Sequence, residues 1–184
     1  MSYAYSPAQR AFHWTMAGVV LLALVLGVIA GQIESGVAPR PALLFVHKSL
    51  GMAALLMLPL RLVWRVAQGE PGWRVPLARL VRAAAHGAHA LLYLGMAILP
   101  LSGYVMSGAG GHPLPFFGLF SFPFPFAQDK AMAKGAGAVH HWIGYAFLAL
   151  VALHVAAALW HRVKGDETMA RMAPRLAAER QPGC

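Results

Sequence analysis

Histidine is the residue type that could carry chemistry in this 184-residue chain, and its nine copies are unevenly placed. His13, His47, His86, His89, His140, His141 and His154 sit inside long apolar stretches, His161 at the edge of one, and His112 in a loop rich in glycine and proline. An imidazole among apolar side chains is unfavourable without a partner. A single one usually signals a structural hydrogen bond. This set is different because no acid accompanies it: Glu34, Glu70, Asp129, Asp166, Glu167 and Glu179 all fall outside the stretches. Proton and cation carriers ordinarily place a carboxylate at membrane depth, so the set points instead to neutral imidazoles ligating a shared metal cofactor. Spacing sharpens this. His140 and His154 are 14 residues apart, which on a helix leaves them within about 40° of each other and about 21 Å apart along the axis. His141 is turned about 100° from His140 and serves another face.

Positioning such a set falls to membrane helices. Hydrophobic residues make up 59% of the chain and charged residues only 11%, and the charges are bunched. No Asp, Glu, Lys or Arg occurs in the 23 residues between Arg10 and Glu34, the 46 between Arg82 and Asp129, or the 27 between Lys134 and Arg162. Each run exceeds the roughly 20 residues that cross a bilayer core. This composition excludes a soluble enzyme, a disordered tail and a nucleic-acid binder, so the net charge of +9 is read as membrane topology. The fold class expected is all-α, an integral membrane four-helix bundle forming a single domain over 1–184, with helices at about 11–32, 42–65, 85–107 and 138–161. Val28-Ile29-Ala30 resembles a signal cleavage site, but the apolar run is longer than the ~7–15 residues of a signal core. Pro59 and Pro100 fall inside helices, which membrane spans tolerate.

Orientation follows from the cations. With the N-terminus inside, the inner segments carry 11 Lys and Arg (Arg10, Arg61, Arg65, Arg74, Arg79, Arg82, Arg162, Lys164, Arg171, Arg175, Arg180) and the outer ones 4 (Arg40, Lys48, Lys130, Lys134). Both termini are therefore expected in the cytoplasm, with the chain in the cell inner membrane. Residues 113–126, PLPFFGLFSFPFPF, hold four prolines and cannot span as a helix. An aromatic-proline cap over the outer mouth of the bundle is expected there.

This topology sorts the histidines by depth. His13 enters from inside and can pair with His154, whereas His47 enters from outside and can pair with His140. Two bis-histidine sites stacked across a membrane is the arrangement for two b-type haems. A closed zinc site prefers four ligands in one place, and these four are split between levels. The lone cysteine, Cys184, permits neither an intrachain disulfide nor a Cys-x-x-Cys-His attachment of c-type haem. One turn beyond the proposed ligands stand Ala17, Gly51, Gly144 and Ala158, small enough for a macrocycle to approach the helix, whereas His89 and His141 are followed there by Tyr93 and Tyr145. His89 rivals His13 on depth: it lies seven residues from Arg82, as His154 lies eight from Arg162, while His13 lies three from Arg10. Spacing leaves that choice open. His86 and His89 share a face and suit haem propionates or a quinone.

The ordered set of residues resembles the bacterial cytochrome b561 family of four-helix di-haem membrane cytochromes over nearly the whole chain. The likeness runs through Tyr5-Ser6 and His13-Trp14, the His47 to Arg65 stretch, Ala85-His86 with His89 and Tyr93, and the Gly-His-Pro and Phe-rich loop. It continues in the His140-to-His154 spacing with Gly144-Tyr145, and in the tail Thr168 to Pro174. The resemblance implies haem-iron ligands at His13, His47, His140 and His154, and supporting roles for His86, His89 and His161. It also implies quinone as a redox partner and, for some relatives, oxidation of superoxide with ubiquinone as acceptor. Arg40, Lys48, Lys130 and Lys134 against Glu34 and Asp129 leave the outer mouth cationic, which suits steering of a small anion and equally suits lipid phosphates. An alternative is a haem b subunit relaying electrons between quinol and a separate partner protein. A histidine-based metal transporter is a further class, marked by absence of haem.

Overall fold

The computed structural model describes residues 4–73, 78–165 and 167–173. Arg74, Asp166, Pro174, Arg175, Glu179, Arg180 and Cys184 lie outside the described residues. Four helices are long and apolar enough to cross a membrane: α1 (Pro7–Gly31), α2 (Arg40–Gln68), α3 (Arg79–Ala109) and α4 (Lys130–Lys164). A short α5 (Glu167–Met172) follows. Many large apolar side chains, among them Leu60, Val63, Leu153 and Trp142, point outward and are exposed. That is the arrangement of a bundle whose solvent is lipid and whose backbone groups are satisfied within each helix. The described acids Glu34, Glu70 and Asp129 fall between the spans, and Glu167 falls in α5.

Each helix begins before the apolar segment that announced it, and for α1 and α4 a side-chain cap sets that earlier start in polar surroundings. Ser6 and Gln9 form a reciprocal cap, Ser6 Oγ accepting from Gln9 N and Gln9 Oε1 from Ser6 N, ahead of Pro7 in the first turn. Asp129 caps α4 by accepting from Ala131 N (2.8 Å) and Met132 N (2.9 Å), so the helix starts at Lys130, eight residues before the expected 138. It ends at Gly165 in the left-handed conformation (φ 73°), with His161, Arg162 and Lys164 in the last turn, where the macrodipole favours cations.

Close backbone approach occurs within the pairs α1/α2 and α3/α4 and between α2 and α3. The molecule is thus two antiparallel helical hairpins joined along α2 and α3. Phe147 of α4, seven residues from both His140 and His154, packs so tightly on α3 that a Cβ at Gly95 would lie 2.3 Å from its ring. The two ends of the bundle are closed differently. At the terminal end, buried Arg171 of α5 donates to Pro71 O, and its guanidinium stacks on Trp73 (3.7 Å to the ring centre) and Tyr5 (5.3 Å). Tyr5 N donates to Arg171 O and Trp14 Nε1 to Met172 O, so both ends of the described chain meet at one end of the bundle.

At the opposite end, residues 113–126 form the expected non-helical cap with a small ladder at its centre. Strands β1 (Pro115–Phe116) and β2 (Phe120–Ser121) pair antiparallel. The turn between them carries positive φ at Phe117 (51°) and Gly118 (79°), and glycine accommodates such a φ without strain. Phe116, Phe120 and Phe122 cluster with ring centres 5.1–5.6 Å apart. Ser49 of α2, 0% exposed, fastens this cap: its hydroxyl lies 2.9 Å from Phe45 O and 3.1 Å from Pro115 O and accepts from Phe117 N at 3.0 Å. Ser49→Ala is expected to leave Phe117 N and Pro115 O unpaired, costing about 1–3 kcal/mol. The check is a lower thermal midpoint together with faster proteolysis within residues 113–126, the spans remaining intact.

Candidate haem-binding site

Two histidine pairs sit at different depths between the helical hairpins. Nearer the aromatic cap, His47 of α2 faces His140 of α4 with ring centres 6.0 Å apart and planes 88° to each other. Nearer the termini, His13 of α1 faces His154 of α4 at 6.3 Å and 60°. With metal–imidazole bonds of about 2.0–2.1 Å on each side and roughly 1 Å from nitrogen to ring centre, a metal between two imidazoles sets their centres roughly 6–6.5 Å apart. Both pairs meet that separation. Among the described residues, no group of three His, Cys, Asp or Glu side chains converges on one bare-metal site, which fits paired axial ligands rather than a closed zinc centre.

The cap-side pair is arranged for ligation in its tautomers as well. His47 Nδ1 lies 2.8 Å from Ala23 O of α1, and His140 Nδ1 lies 2.9 Å from Leu99 O of α3 and 3.3 Å from Ser102 Oγ. A carbonyl only accepts, so each Nδ1 carries the proton and each Nε2 keeps its lone pair for a metal. The two rings line a cavity of about 650 Å³ that reaches Gly51 and Gly144, the small residues one turn beyond them. No atom lies within 4 Å of a Cβ built at Gly51, and only Leu99, at 3.8 Å, near one built at Gly144. An apolar cavity of this size with two opposed imidazoles fits a haem.

The terminal-side group is more crowded. His89 of α3 also approaches His154, with ring centres 5.6 Å apart. Arg61 donates to His13 Nδ1 (3.1 Å) and also lies 3.4 Å from Tyr93 Oη and 5.9 Å from the centre of the Tyr93 ring. A guanidinium cannot accept, so Nδ1 of His13 is the acceptor here and the proton of the neutral ring stands on Nε2. Ligation through Nε2 therefore requires Arg61 to withdraw.

The remaining histidines stand outside these pairs, although His141, with its ring centre 6.2 Å from that of His140, also borders the cap-side cavity. His86 sits in an exposed chain with Glu70 (3.7 Å), which is itself paired with Arg65. His141 turns back on its own helix, donating Nδ1–H to Gly137 O at 2.7 Å. His161 lies in the last turn of α4. His112 and Lys48 line the cap end of the cavity, and Lys48 donates to Pro113 O at 3.1 Å, while Lys130 and Lys134 are exposed on the first turns of α4. Missed by sequence reasoning are the ring partners Ala23, Leu99 and Ser102 and the contact of Arg61 with His13. Backbone acceptors carry no side-chain signature, and the contacts span 24 to 48 residues.

Known proteins resemble this chain along almost its entire length. The family described as prokaryotic cytochrome b561 matches residues 4–175. Cytochrome b561 homolog 2 of Escherichia coli (strain K12) is 32% identical over 179 residues, covering 95% of this chain and 94% of that protein. Cytochrome b561 homolog 1 of the same organism is 27% identical over 93% of this chain and 97% of its own length. The protein named probable superoxide oxidase CybB, from Yersinia pestis, is 27% identical over 95% of this chain and 98% of its own.

Proposed function

The chain belongs to the prokaryotic cytochrome b561 family of haem b-binding, electron-transferring membrane proteins, and on that premise we propose a di-haem route from superoxide to ubiquinone. In this reading both termini face the cytoplasm and the chain lies in the cell inner membrane. His47 and His140 hold an outer haem, and His13 and His154 an inner one. The observation that carries the reading is the opposition of histidines from separate helical hairpins at two depths, with ring centres 6.0 and 6.3 Å apart. A bound haem would supply a reversible one-electron iron couple, and paired histidine ligands would suit it to electron transfer rather than oxygen binding.

The chain's own residues do the rest. Ala23 O and Leu99 O hold the outer rings in the ligating tautomer. Leu24, Met52 and Leu99 keep the cavity apolar, and Leu114, at the root of the Ser49-anchored aromatic cap, lines its outer end. The balance is simple: two superoxide anions each give up one electron and become O₂, while ubiquinone gains two electrons and two protons. The relative named probable superoxide oxidase supports the choice of donor. So do Lys48, at the cavity wall, and Lys130 and Lys134, exposed in the first turns of α4 on either side of the cavity-lining Ala133.

The test is superoxide-driven reduction of ubiquinone by the purified protein, with haem counted by pyridine haemochrome. Two b haems per chain and stoichiometric quinol are expected. Replacing Lys48, Lys130 and Lys134 together by glutamine is expected to slow the second-order rate roughly tenfold at low salt and to flatten its dependence on ionic strength. An unchanged rate and salt slope would remove superoxide steering. Reduction only by a co-purifying stoichiometric protein would instead make the chain a relay subunit.

A further inference from the structure

The outer ligands rest against a repeated feature of the neighbouring helices. A Cβ at Gly27 of α1 would lie 2.8 Å from Cε1 and 3.0 Å from Nδ1 of His47. A Cβ at Gly103 of α3 would lie 3.0 Å from Cε1 and 3.1 Å from Nδ1 of His140. In each case the carbonyl that accepts the ring proton belongs to the same helix, four residues earlier: Ala23 for Gly27 and Leu99 for Gly103. Each helix thus presents an acceptor and, about one turn further along, a surface with no side chain. The Cε1–Nδ1 edge of the ring comes close enough to that surface for Nδ1 to reach the acceptor at 2.8–2.9 Å. The construction occurs twice, on helices of different hairpins, against the two rings that oppose each other.

We propose that Gly27 and Gly103 are positioning residues, each forming with its carbonyl a seat that sets the rotation and tautomer of one outer ligand. The inference rests on the assignment of His47 and His140 as haem ligands. A methyl group at either glycine meets the ring on the edge that carries the hydrogen bond. The ring cannot back away and keep that bond, because obstacle and acceptor share one helix. It must turn, and the angle between the two imidazoles, now 88°, must change. Gly18 of α1 and Gly87 of α3 bear no such load, since a Cβ at either meets no neighbouring element within 4 Å.

The test uses full-length protein carrying Gly27→Ala or Gly103→Ala, with Gly18→Ala and Gly87→Ala as controls. The readouts are haem per chain, the low-spin electron paramagnetic resonance of the oxidised protein and the two midpoint potentials. Perpendicular imidazoles give a highly anisotropic signal. In the seat variants the outer-haem signal is expected to shift toward lower anisotropy. Its potential is expected to rise, because a ring that loses its Nδ1–H acceptor donates less to iron. The inner haem and both controls stay at wild-type values. Unmoved outer signals in the seat variants, or equal shifts in the controls, overturn the proposal. If neither seat variant accumulates with haem, Ser102→Ala decides: it changes the surroundings of His140 Nδ1 without adding volume and must move the outer potential alone, and no movement overturns the proposal. Retention of two haems per chain in the His47→Leu/His140→Leu double variant refutes the ligand assignment itself, which separates that failure from failure of the seats.

Discussion

His140→Leu is expected to lower haem content from two per chain to one and to abolish superoxide-driven quinone reduction. Its ring is one of the two that oppose across the cap-side cavity, and it is held there by Leu99 O at 2.9 Å. Altering only the outer partners of a metal ligand costs about 10–100-fold, so losing the ligand should cost more than roughly hundredfold in activity. His47→Leu should do the same. The double variant should do no more, since either loss empties the one site and residues acting as a unit are not additive. Stability should fall too, because a haem proposed for the cavity of about 650 Å³ would no longer confer the stabilisation that a tightly bound group gives. The adjacent His141→Leu is the control. That ring is bound to Gly137 O of its own helix, so both haems and the activity should persist. Pyridine haemochrome, reduced-minus-oxidised spectra and thermal midpoints on the four proteins check the set. Equal haem loss from His141→Leu would overturn the assignment.

What made the outer pair legible was coarse: His47 stands near the start of a helix entered from the expected outer side, His140 near the same side of the last helix, and a 14-residue interval keeps His140 and His154 on one face. Those are properties of periodicity and of the bilayer's demand for apolar runs, and both are written in side chains. Helix ends were less legible. Lys130 to Gly137 belongs to α4 because Asp129 caps it, although these residues are neither apolar enough nor deep enough to read as part of a span. The β1–β2 ladder depends on two positive-φ residues, Phe117 and Gly118, within a phenylalanine-proline run that otherwise reads as irregular. The seats were not legible at all. Glycine within a membrane helix is common, and Gly27 and Gly103 differ from Gly18 and Gly87 only in what stands opposite them. The opposing ring comes from another helix, 20 and 37 residues away in sequence. Lys48 shows the same limit in reverse: it reads as an exposed cation, but its ammonium is bound to Pro113 O.

The inner pair is where spacing left two answers, and packing separates them. His89→Leu is expected to retain two haems, whereas His13→Leu should retain only the outer one. Ring distance alone does not choose, since His89 lies 5.6 Å and His13 6.3 Å from His154. The helices do. α3 and α4 form one closely packed hairpin, tight enough that Phe147 fills the space where a Cβ of Gly95 would stand. A macrocycle between His89 and His154 would have to wedge that hairpin apart. His13 belongs to the other hairpin, as His47 does, so a haem held by His13 and His154 occupies the same inter-hairpin space as the outer one. Arg61 must then leave His13 Nδ1, and Tyr93, 3.4 Å from its Nε, offers another partner. His89→Leu should therefore shift the inner midpoint potential through altered surroundings without loss of haem. His13→Leu and His154→Leu should share one spectrum, that of the outer haem alone. If His89→Leu instead removes the inner haem while His13→Leu keeps it, the inner site lies within the α3/α4 hairpin, and those two helices separate when it fills.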